Sequence, residues 1–529
     1  MQPSDAYPHG PVGTDSDGPV VSTPAGAVRG EQVGSVSVWR GIRYAAPPTG
    51  DLRWRAPVPP EPWTGIRDAL RFGPAAPQGV GPMIDLGVGV RQDEDCLFLN
   101  VWAPAEPAAP RPVMVWVHGG AYVLGSASQA LYDGRSLVEA GDVVVVTINY
   151  RLGVLGFLDL TATGGDEGDG SFDGNLALRD VILALQWVRD GIAGFGGDPD
   201  CVTVFGESAG GGMVTTLMAT PSARGLFHRA IAQSSPATSV YDRARAATVV
   251  RRFVELVDPD GGADRATRLR ALPVEALVEA GQVLFSEVPS TAPGTLAFAP
   301  TVDGDLVPDY PVAVFARGEA APVPLLIGTN KDEASLFARM KSPLMPVQTD
   351  TIEEMFAQIA VEHPELVLPE RAQVVSAYSG MRVRAVGLGI ARDIGFRMPT
   401  VWVAEGHAAV AAVHLYRFDH ATPVLKLLRI GATHATELPY VWGNLVHGPR
   451  DVTFKLGGLA AARVLSAAMQ QRWIAFARTG SPDHPDAVSW PAYTSPVRAT
   501  MVFDRTETVV EDLDRNLRET WGAEPLAFR

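Results

Sequence analysis

Five short apolar runs, rich in β-branched and aromatic residues, predict strands that are buried on both faces of a sheet. They cover residues 113–117, 143–148, 202–205, 325–327 and 413–418. Between the second and third runs, apolar residues recur at three- and four-residue steps, which predicts an amphipathic helix; they are Leu178, Val181, Ile182, Leu185, Val188 and Ile192. Strands that alternate with such helices indicate an α/β fold with a large, mostly parallel central sheet.

The segments outside these runs predict a tail, a small β region and two helical insertions. Residues 1–18 are polar and rich in Pro, Gly and Asp, which predicts a mobile tail, and residues 19–60 carry short alternating stretches. Residues 240–300 and 335–410 have helical patterns and fit insertions beyond the sheet. A length of 529 residues suggests about three domains. Because no linker or repeat divides the chain, we instead expect one catalytic domain over residues 19–529.

Composition narrows the function classes. A net charge of −15 argues against nucleic-acid and anionic-membrane surfaces. No apolar run reaches the roughly 18 residues of a membrane helix, and the first residues lack the basic and apolar regions of a signal peptide. Cys96 and Cys201 are too few for a four-thiolate zinc site, and no HExxH spacing occurs. We expect a cytoplasmic protein, favoured as a monomer, with no metal or cofactor.

The strongest chemical signal is Gly206-Glu207-Ser208-Ala209-Gly210, which fits G-x-S-x-G. In a chain this rich in glycine, the pentapeptide arises by chance roughly 0.3 times. Here a predicted strand stops one residue before it and a small-residue helix start follows, which is the context of a nucleophile elbow. Ser208 is therefore predicted to be a nucleophile.

A serine nucleophile needs a base and hydrogen-bond donors for the oxyanion that forms on attack. The predicted strand 113–117 ends at His118-Gly119-Gly120-Ala121, which is similar to the HGGG loop of esterases. A Gly-Gly pair alone is more often an ordinary turn, but this one follows a buried strand and precedes a matched elbow. We predict that the N–H groups of Gly120, Ala121 and Ala209 form the oxyanion hole.

With further segments in the same order, the chain resembles the type B carboxylesterases, the cholinesterase-like branch of the α/β-hydrolases, and within them the bacterial para-nitrobenzyl esterases. These segments are GIRYAAPPTGDLRWRAP, EDCLFLNVWAP, NYRLGVLGFL, PTVDGDLVPDYP, GTNKDEASLF and HATELPYVWGN. The resemblance covers about residues 20–505. It implies an α/β-hydrolase fold and a serine hydrolase that cleaves carboxylic esters through an acyl-enzyme.

The resemblance also implies the partners of Ser208. The family's acid lies in a KDE motif, which places it at Glu333, and its histidine lies in an H-x-x-E-x-x-Y motif, which places it at His434. An unperturbed histidine base would give an apparent pKa of about 6 to 7. Glu207 and Ser234 match family positions behind the triad, although local structure is an equally good interpretation.

At several positions, the sequence can be compared with the residues that are usual in the family. Alanine stands at positions 121, 334 and 435, where many relatives have glycine. The family's secreted members pair the cysteine of EDC with one upstream, but Ala76 stands there, so Cys96 cannot form that disulfide. Arg53 and Glu94 match a family salt bridge.

Fewer residues in the sequence indicate the substrate than indicate the reaction. Residues 79–93 lack the aromatic residue with which cholinesterases hold a quaternary ammonium, which argues against a cholinesterase. Tyr122 and Phe337 are candidate pocket walls, although either also fits a core position. Small to medium acyl groups are expected. The same triad also serves carbamates, amides and acyl transfer, and a non-catalytic cholinesterase-like binding protein is the alternative from another class.

Overall fold

The computed structural model describes residues 18–79, 86–87, 89–106, 109–163, 172–261, 264–362, 364, 368–378, 383–446, 451–485 and 487–526. The predicted mobile tail therefore lies outside the described residues except for Gly18. Among the residues described, no helix has the length and apolar character needed to cross a membrane.

Strands form a small sheet and a large one. In chain order they are β1 (Val20–Ser22), β2 (Ala27–Arg29), β3 (Glu31–Val33), β4 (Val36–Arg43), β5 (Ile66–Asp68), β6 (Phe98–Pro104), β7 (Arg111–Val117), β8 (Val144–Ile148), β9 (Gly197–Glu207), β10 (Arg229–Gln233), β11 (Leu325–Asn330), β12 (Val413–Phe418), β13 (Ala499–Phe503) and β14 (Glu507–Glu511). The small sheet has the order β1-β2-β5, and the large sheet has the order β14-β13-β12-β11-β10-β9-β7-β8-β6-β4-β3. The strands from β8 to β13 in that order run parallel.

Helices flank the large sheet. They are α1 (Arg135–Gly141), α2 (Gly153–Gly156), α3 (Leu176–Gly191), α4 (Ala209–Ala219), α5 (Arg243–Val257), α6 (Arg265–Arg270), α7 (Val274–Thr291), α8 (Pro311–Ala316), α9 (Ala334–Met340), α10 (Thr349–Glu362), α11 (Arg371–Ala377), α12 (Val383–Arg392), α13 (Met398–His407), α14 (Pro423–Leu427), α15 (Leu438–Trp442), α16 (Leu459–Thr479) and α17 (Arg515–Trp521). A π-helical turn, Asp393–Arg397, joins α12 to α13.

The apolar runs predicted as strands lie within β7, β8, β9, β11 and β12, and the predicted helix is α3. Every residue of β7 and of β8 is buried. Alternate residues of β7 pack into two different apolar clusters: Val113, Val115 and Val117 into one, Met114 and Trp116 into the other. The central strands are thus covered on both faces, and for this reason their sequences are continuous apolar runs.

Helices occupy both segments that were predicted as insertions: α5 to α7 lie in residues 240–300, and α9 to α13 lie largely in residues 335–410. The sequence patterns did not predict β5, β6, β10, β13 or β14. The strands β10, β13 and β14 have only five residues each. Polar residues stand at both ends of β10 and β14, and Thr500 interrupts β13, so their apolar signal is weak.

Parallel register brings the chemically interesting residues to one edge of the sheet. Glu207 at the end of β9 is paired with Gln233 at the end of β10, and Gln233 is paired with Gly328 in β11. The residues that follow these strand ends therefore emerge side by side at the carboxyl edge, where α/β folds place their sites.

Candidate active site

Ser208 lies in a sharp turn between β9 and α4. Its backbone angles are φ 56° and ψ −124°, a strained conformation for a residue with a side chain. Two backbone hydrogen bonds hold the turn: Ser208 N–H donates to Gln233 O at 2.9 Å, and Ser208 O accepts from Gly212 N–H at 2.8 Å. The structure therefore presents Ser208 on the strained elbow that the motif predicts.

Glycine is required on both sides of this elbow. A Cβ atom at Gly206 would lie 2.6 Å from the backbone of Gly210, and one at Gly210 would lie 2.0 Å from Val117 O. The start of α4 thus packs directly on the end of β7. Side chains at these positions would push the helix away from the strand.

The loop after β7 passes in front of Ser208. A Cβ atom at Gly119 would lie 3.1 Å from Ser208 Cβ, and Gly120 and Ala121 adopt φ values of 119° and 52°. Within the described residues, neither Gly120 N–H nor Ala121 N–H donates a hydrogen bond. Ala209 N–H begins α4, where a helix leaves its N–H groups without an internal acceptor. Two free N–H donors thus lie in the loop that passes Ser208, and a third directly follows Ser208 in the chain.

Glu333 follows β11 and is completely buried. Its Oε1 accepts from Ser234 Oγ at 2.6 Å and from Asn330 N–H at 2.7 Å. Its Oε2 lies 2.6 Å from His434 Nδ1. Two donors therefore fix one carboxylate oxygen and leave the other to the imidazole, so the acid, the histidine and Ser234 form one connected network.

The other ring nitrogen of His434, Nε2, points toward the elbow. It lies 3.2 Å from Glu207 Oε1, and neither atom makes a hydrogen bond within the described part of the chain. Because Glu207 directly precedes Ser208 in the chain, this contact places Nε2 beside the elbow.

Buried carboxylates around His434 alter its titration. Burial alone would lower the pKa of His434, but the charges of Glu207 and Glu333 outweigh it and raise that pKa to about 9. Burial in turn raises the pKa of Glu207 to about 8, against the lowering effect of His434. The site is therefore not the unperturbed one for which a value of about 6 to 7 is expected, because buried anions stabilise the imidazolium.

A third buried carboxylate, Glu437, lies behind the histidine. It accepts from Gln233 Nε2 at 3.0 Å and also from Asn330 Nδ2. Burial raises the pKa of Glu437, and the charge of Glu333 raises it further. Asn330 thus contacts Glu333 through its backbone and Glu437 through its side chain.

Aromatic rings cover the imidazole. The ring of Phe396 lies 4.6 Å from that of His434, centroid to centroid, and the ring of Phe337 lies 5.1 Å from it. Phe396 belongs to an apolar cluster with Ala334, and Phe337 packs on the edge of that cluster. This cluster provides an apolar wall beside His434.

The two predicted pocket residues have different surroundings. Phe337 lies against His434, whereas Tyr122 is buried in the main core, with its ring 4.8 Å from that of Phe157. The hydroxyl of Tyr122 points at α4, since a Cβ atom at Gly212 would lie 2.3 Å from it. Tyr122 therefore occupies the core position that the sequence also allowed.

Sequence reasoning did not single out Asn330, Phe396 or Glu437. Asn330 directly precedes the KDE motif, and Glu437 is the glutamate of the H-x-x-E-x-x-Y motif, so both had a local signal. Phe396 had no local signal, because it lies 38 positions before His434 in a helical segment. Only the packing of that segment brings it to the site.

Two further expectations concern residues away from this site. Arg53 Nε donates to Glu94 Oε2 at 2.8 Å, so the predicted salt bridge forms. Cys96 and Cys201 are both free thiols, and burial raises the pKa of Cys96 far above its usual range. Among the described residues, no group of three or more His, Cys, Asp and Glu side chains is placed to hold a metal ion.

With this fold and this site, the chain belongs to the carboxylesterase family, whose profile matches residues 17–521. It is a carboxylic ester hydrolase of the serine type with the α/β-hydrolase fold, as the resemblance implied.

Similar proteins span nearly the whole chain. The para-nitrobenzyl esterase of Bacillus subtilis (strain 168) is 38% identical over 506 residues, which cover 94% of this chain and 98% of that protein. The phenmedipham hydrolase of Pseudarthrobacter oxydans is 34% identical and covers 94% and 97% of the two chains. A solved structure of a PNB esterase superposes with a TM-score of 0.82 at 37% identity, covering 95% of this chain and 99% of that one.

Proposed function

We propose that Ser208, His434 and Glu333 form the catalytic triad of this ester hydrolase. The observation that carries the proposal is the connected network in which His434 Nδ1 lies 2.6 Å from Glu333 Oε2 while Nε2 faces the Ser208 elbow. Ser234 Oγ and Asn330 N–H fix the second oxygen of Glu333 and thereby orient its contact with the ring. Ser234 thus acts by positioning the acid.

In this mechanism, His434 Nε2 takes the proton of Ser208 Oγ as the oxygen attacks the ester carbonyl. Glu333 keeps the proton of the neutral imidazole on Nδ1 and stabilises the imidazolium that forms. The imidazolium gives its proton to the departing alcohol, which leaves an acyl-enzyme on Ser208. Water, deprotonated by the same histidine, then releases the acid and restores the serine.

The N–H groups of Gly120, Ala121 and Ala209 are proposed to bind the oxyanion. Their support is that Gly120 and Ala121 donate no hydrogen bond within the described residues, and that Ala209 begins α4. Donors held in place before the reaction cost no reorganisation, and each is worth roughly 100- to 1000-fold in rate by analogy with measured oxyanion holes. Glu207 is proposed to stabilise the imidazolium from the Nε2 side.

Small to medium acyl groups remain the favoured substrates, with Phe337 as one pocket wall. The apolar cluster beside His434, which Phe337 joins, supports an apolar substrate group there. Carbamates and amides are the second candidate class, supported by the 34% identical relative named phenmedipham hydrolase.

The free state of Cys96 and Cys201 favours a reducing compartment such as the cytoplasm. We also propose one catalytic domain over residues 19–529 and a monomeric enzyme.

Hydrolysis of p-nitrophenyl esters from acetate to octanoate, with Ser208→Ala beside the parent enzyme, tests this proposal. We expect turnover that depends on Ser208 and peaks at one chain length, which would size the acyl pocket. Equal turnover by the folded Ser208→Ala variant would remove this serine from the mechanism. Folded parent enzyme with no turnover and no reaction with a serine-directed phosphonate would favour the non-catalytic alternative.

A further inference from the structure

The π-helical turn Asp393–Arg397 delivers Phe396 to the histidine. Met398 N–H donates to Asp393 O, five residues earlier, so the turn contains one residue more than an α-helix would. One residue in a helix corresponds to a rotation of about 100°. If this turn relaxed to α-helical geometry, the direction of the Phe396 side chain relative to one of the flanking helices would change by about that angle.

Buried polar contacts hold both ends of the turn. At its start, Asp393 is fully buried and accepts from Tyr378 Oη at 2.5 Å and from Arg392 Nε at 2.6 Å. At its end, Arg397 donates to Asp514 through Nε and to Thr329 Oγ1 through Nη1, the latter at 3.2 Å. Thr329 lies in β11, four residues before Glu333, so Arg397 connects the turn to the strand that carries the acid.

Asp514 is an unusual residue at its position. It is the N-cap of α17, where an aspartate normally accepts from the backbone of its own helix, yet its side chain makes no capping hydrogen bond. The carboxylate instead contacts Arg397, and its Oδ1 accepts from Arg417 Nη1 at 3.3 Å. Arg397 and Arg417 outweigh the effect of burial and lower the pKa of Asp514, so the carboxylate stays charged.

We propose that Asp514 is a positioning residue, which fixes the π-helical turn through Arg397 and thereby keeps the Phe396 ring against the His434 imidazole. The inference rests on the proposed function. Asp514 itself touches no reacting atom, and it acts through Arg397 and Phe396 on the orientation of the base. The start of the C-terminal helix α17 is thus connected to the catalytic centre.

The test is a double-mutant cycle of Asp514→Asn and Phe396→Leu, with kcat and KM measured on a p-nitrophenyl ester well below the unfolding temperature. We expect each single variant to lower kcat roughly 2- to 10-fold with KM within about twofold, as the loss of an aromatic contact predicts. In the Phe396→Leu background, Asp514→Asn should have no further effect on kcat.

Glu507→Gln is the matched control. Glu507 also pairs with a buried arginine, Arg472, and its side chain is 12% exposed, against 13% for Asp514. This variant should lower Tm and leave kcat at the parent value. If Asp514→Asn does the same, or if the losses of kcat multiply in the double variant, Asp514 has only a structural role.

Two further comparisons keep the outcome clear. If Asp514→Asn does not fold, Arg397→Lys keeps the charge but removes the guanidinium fork, and it should lower kcat in the same manner; an unchanged kcat overturns the inference. Ser208→Ala in the same assay separates the two proposals. Turnover that does not depend on Ser208 overturns the proposed function, whereas Ser208-dependent turnover that is insensitive to Asp514 overturns only this inference.

Discussion

Glu207→Gln removes one charge beside His434, the proposed catalytic base, and keeps the size of the side chain. In the parent structure, Glu207 Oε1 lies 3.2 Å from His434 Nε2. The charge of Glu207 is the first of the influences that raise the pKa of His434 to about 9. Since His434 accepts a proton only when it is neutral, a raised pKa holds the acid limb of activity at high pH. The substitution should therefore move that limb to lower pH.

The structure sets the size of the effect. At an effective dielectric constant of about 20, two unit charges at this separation interact by about 5 kcal/mol. Glu207 has a pKa of about 8, so it is fully charged only at the alkaline end of the profile. We therefore expect the apparent pKa of His434 to fall by about 1 to 2, which corresponds to about 1.4 to 2.7 kcal/mol.

In the proposed mechanism, the same interaction stabilises the imidazolium that forms in the transition state. Its loss should lower the alkaline plateau of kcat/KM by about 10- to 100-fold. On the acid limb, the lower plateau is offset by the larger fraction of neutral His434, since both change by the same factor. The profiles of parent and variant should therefore converge at low pH and diverge at high pH. The assay is kcat/KM for a p-nitrophenyl ester from pH 5 to 10, read at the isosbestic wavelength of p-nitrophenol.

Glu437→Gln provides the comparison, because Glu437 is equally buried but is bonded to Gln233 and Asn330, and its influence on His434 is the smallest of the three glutamates. Its limb should move in the same direction by less. A constant ratio between the Glu207→Gln and parent profiles over the whole pH range would refute the reasoning, since it would show that Glu207 does not act through the charge of His434.

Two other substitutions test the acid and the backbone of the site. Glu333→Gln keeps an acceptor for Ser234 but removes the charge that, in the proposed mechanism, fixes the His434 tautomer. The kcat should therefore fall about 10³- to 10⁴-fold, as for the corresponding change in serine proteases, while Tm stays nearly unchanged. A loss of kcat below tenfold would contradict this role. Ala435→Gly should stabilise the fold by about 0.5 to 1 kcal/mol, because Ala435 has φ 64°. Ala334→Gly is its control in thermal unfolding: Ala334 is buried at the start of α9 without a positive φ, so that variant should be less stable, and two equal shifts would refute the argument.

Local sequence was sufficient wherever a few adjacent residues define the chemistry. The Ser208 elbow and the Gly119-Gly120 loop were predicted because strand, turn and helix start follow one another in the chain, and close packing leaves room only for glycine at Gly206 and Gly210. The central strands were predictable for a related reason, since burial on both faces leaves continuous apolar runs.

Residues that are distant in the chain needed either a family resemblance or the tertiary structure. No spacing rule connects Ser208 with Glu333 and His434, and ten histidines competed for the role of base. The effect of alanine at positions 435 and 334 could also be judged only from the structure. Ala435 has a left-handed backbone, whereas Ala334 begins a helix.

The sequence by itself determined the α/β architecture, the Ser208 elbow and the loop that faces it, because each is encoded by neighbouring residues. The tertiary structure alone decided that Phe396 covers His434, that Asp514 reaches Arg397, and that three buried glutamates surround one imidazole. These contacts join segments as far apart as β9 and α17. They depend on how helices pack over the carboxyl edge of the sheet, which no local pattern of hydrophobic and polar residues specifies.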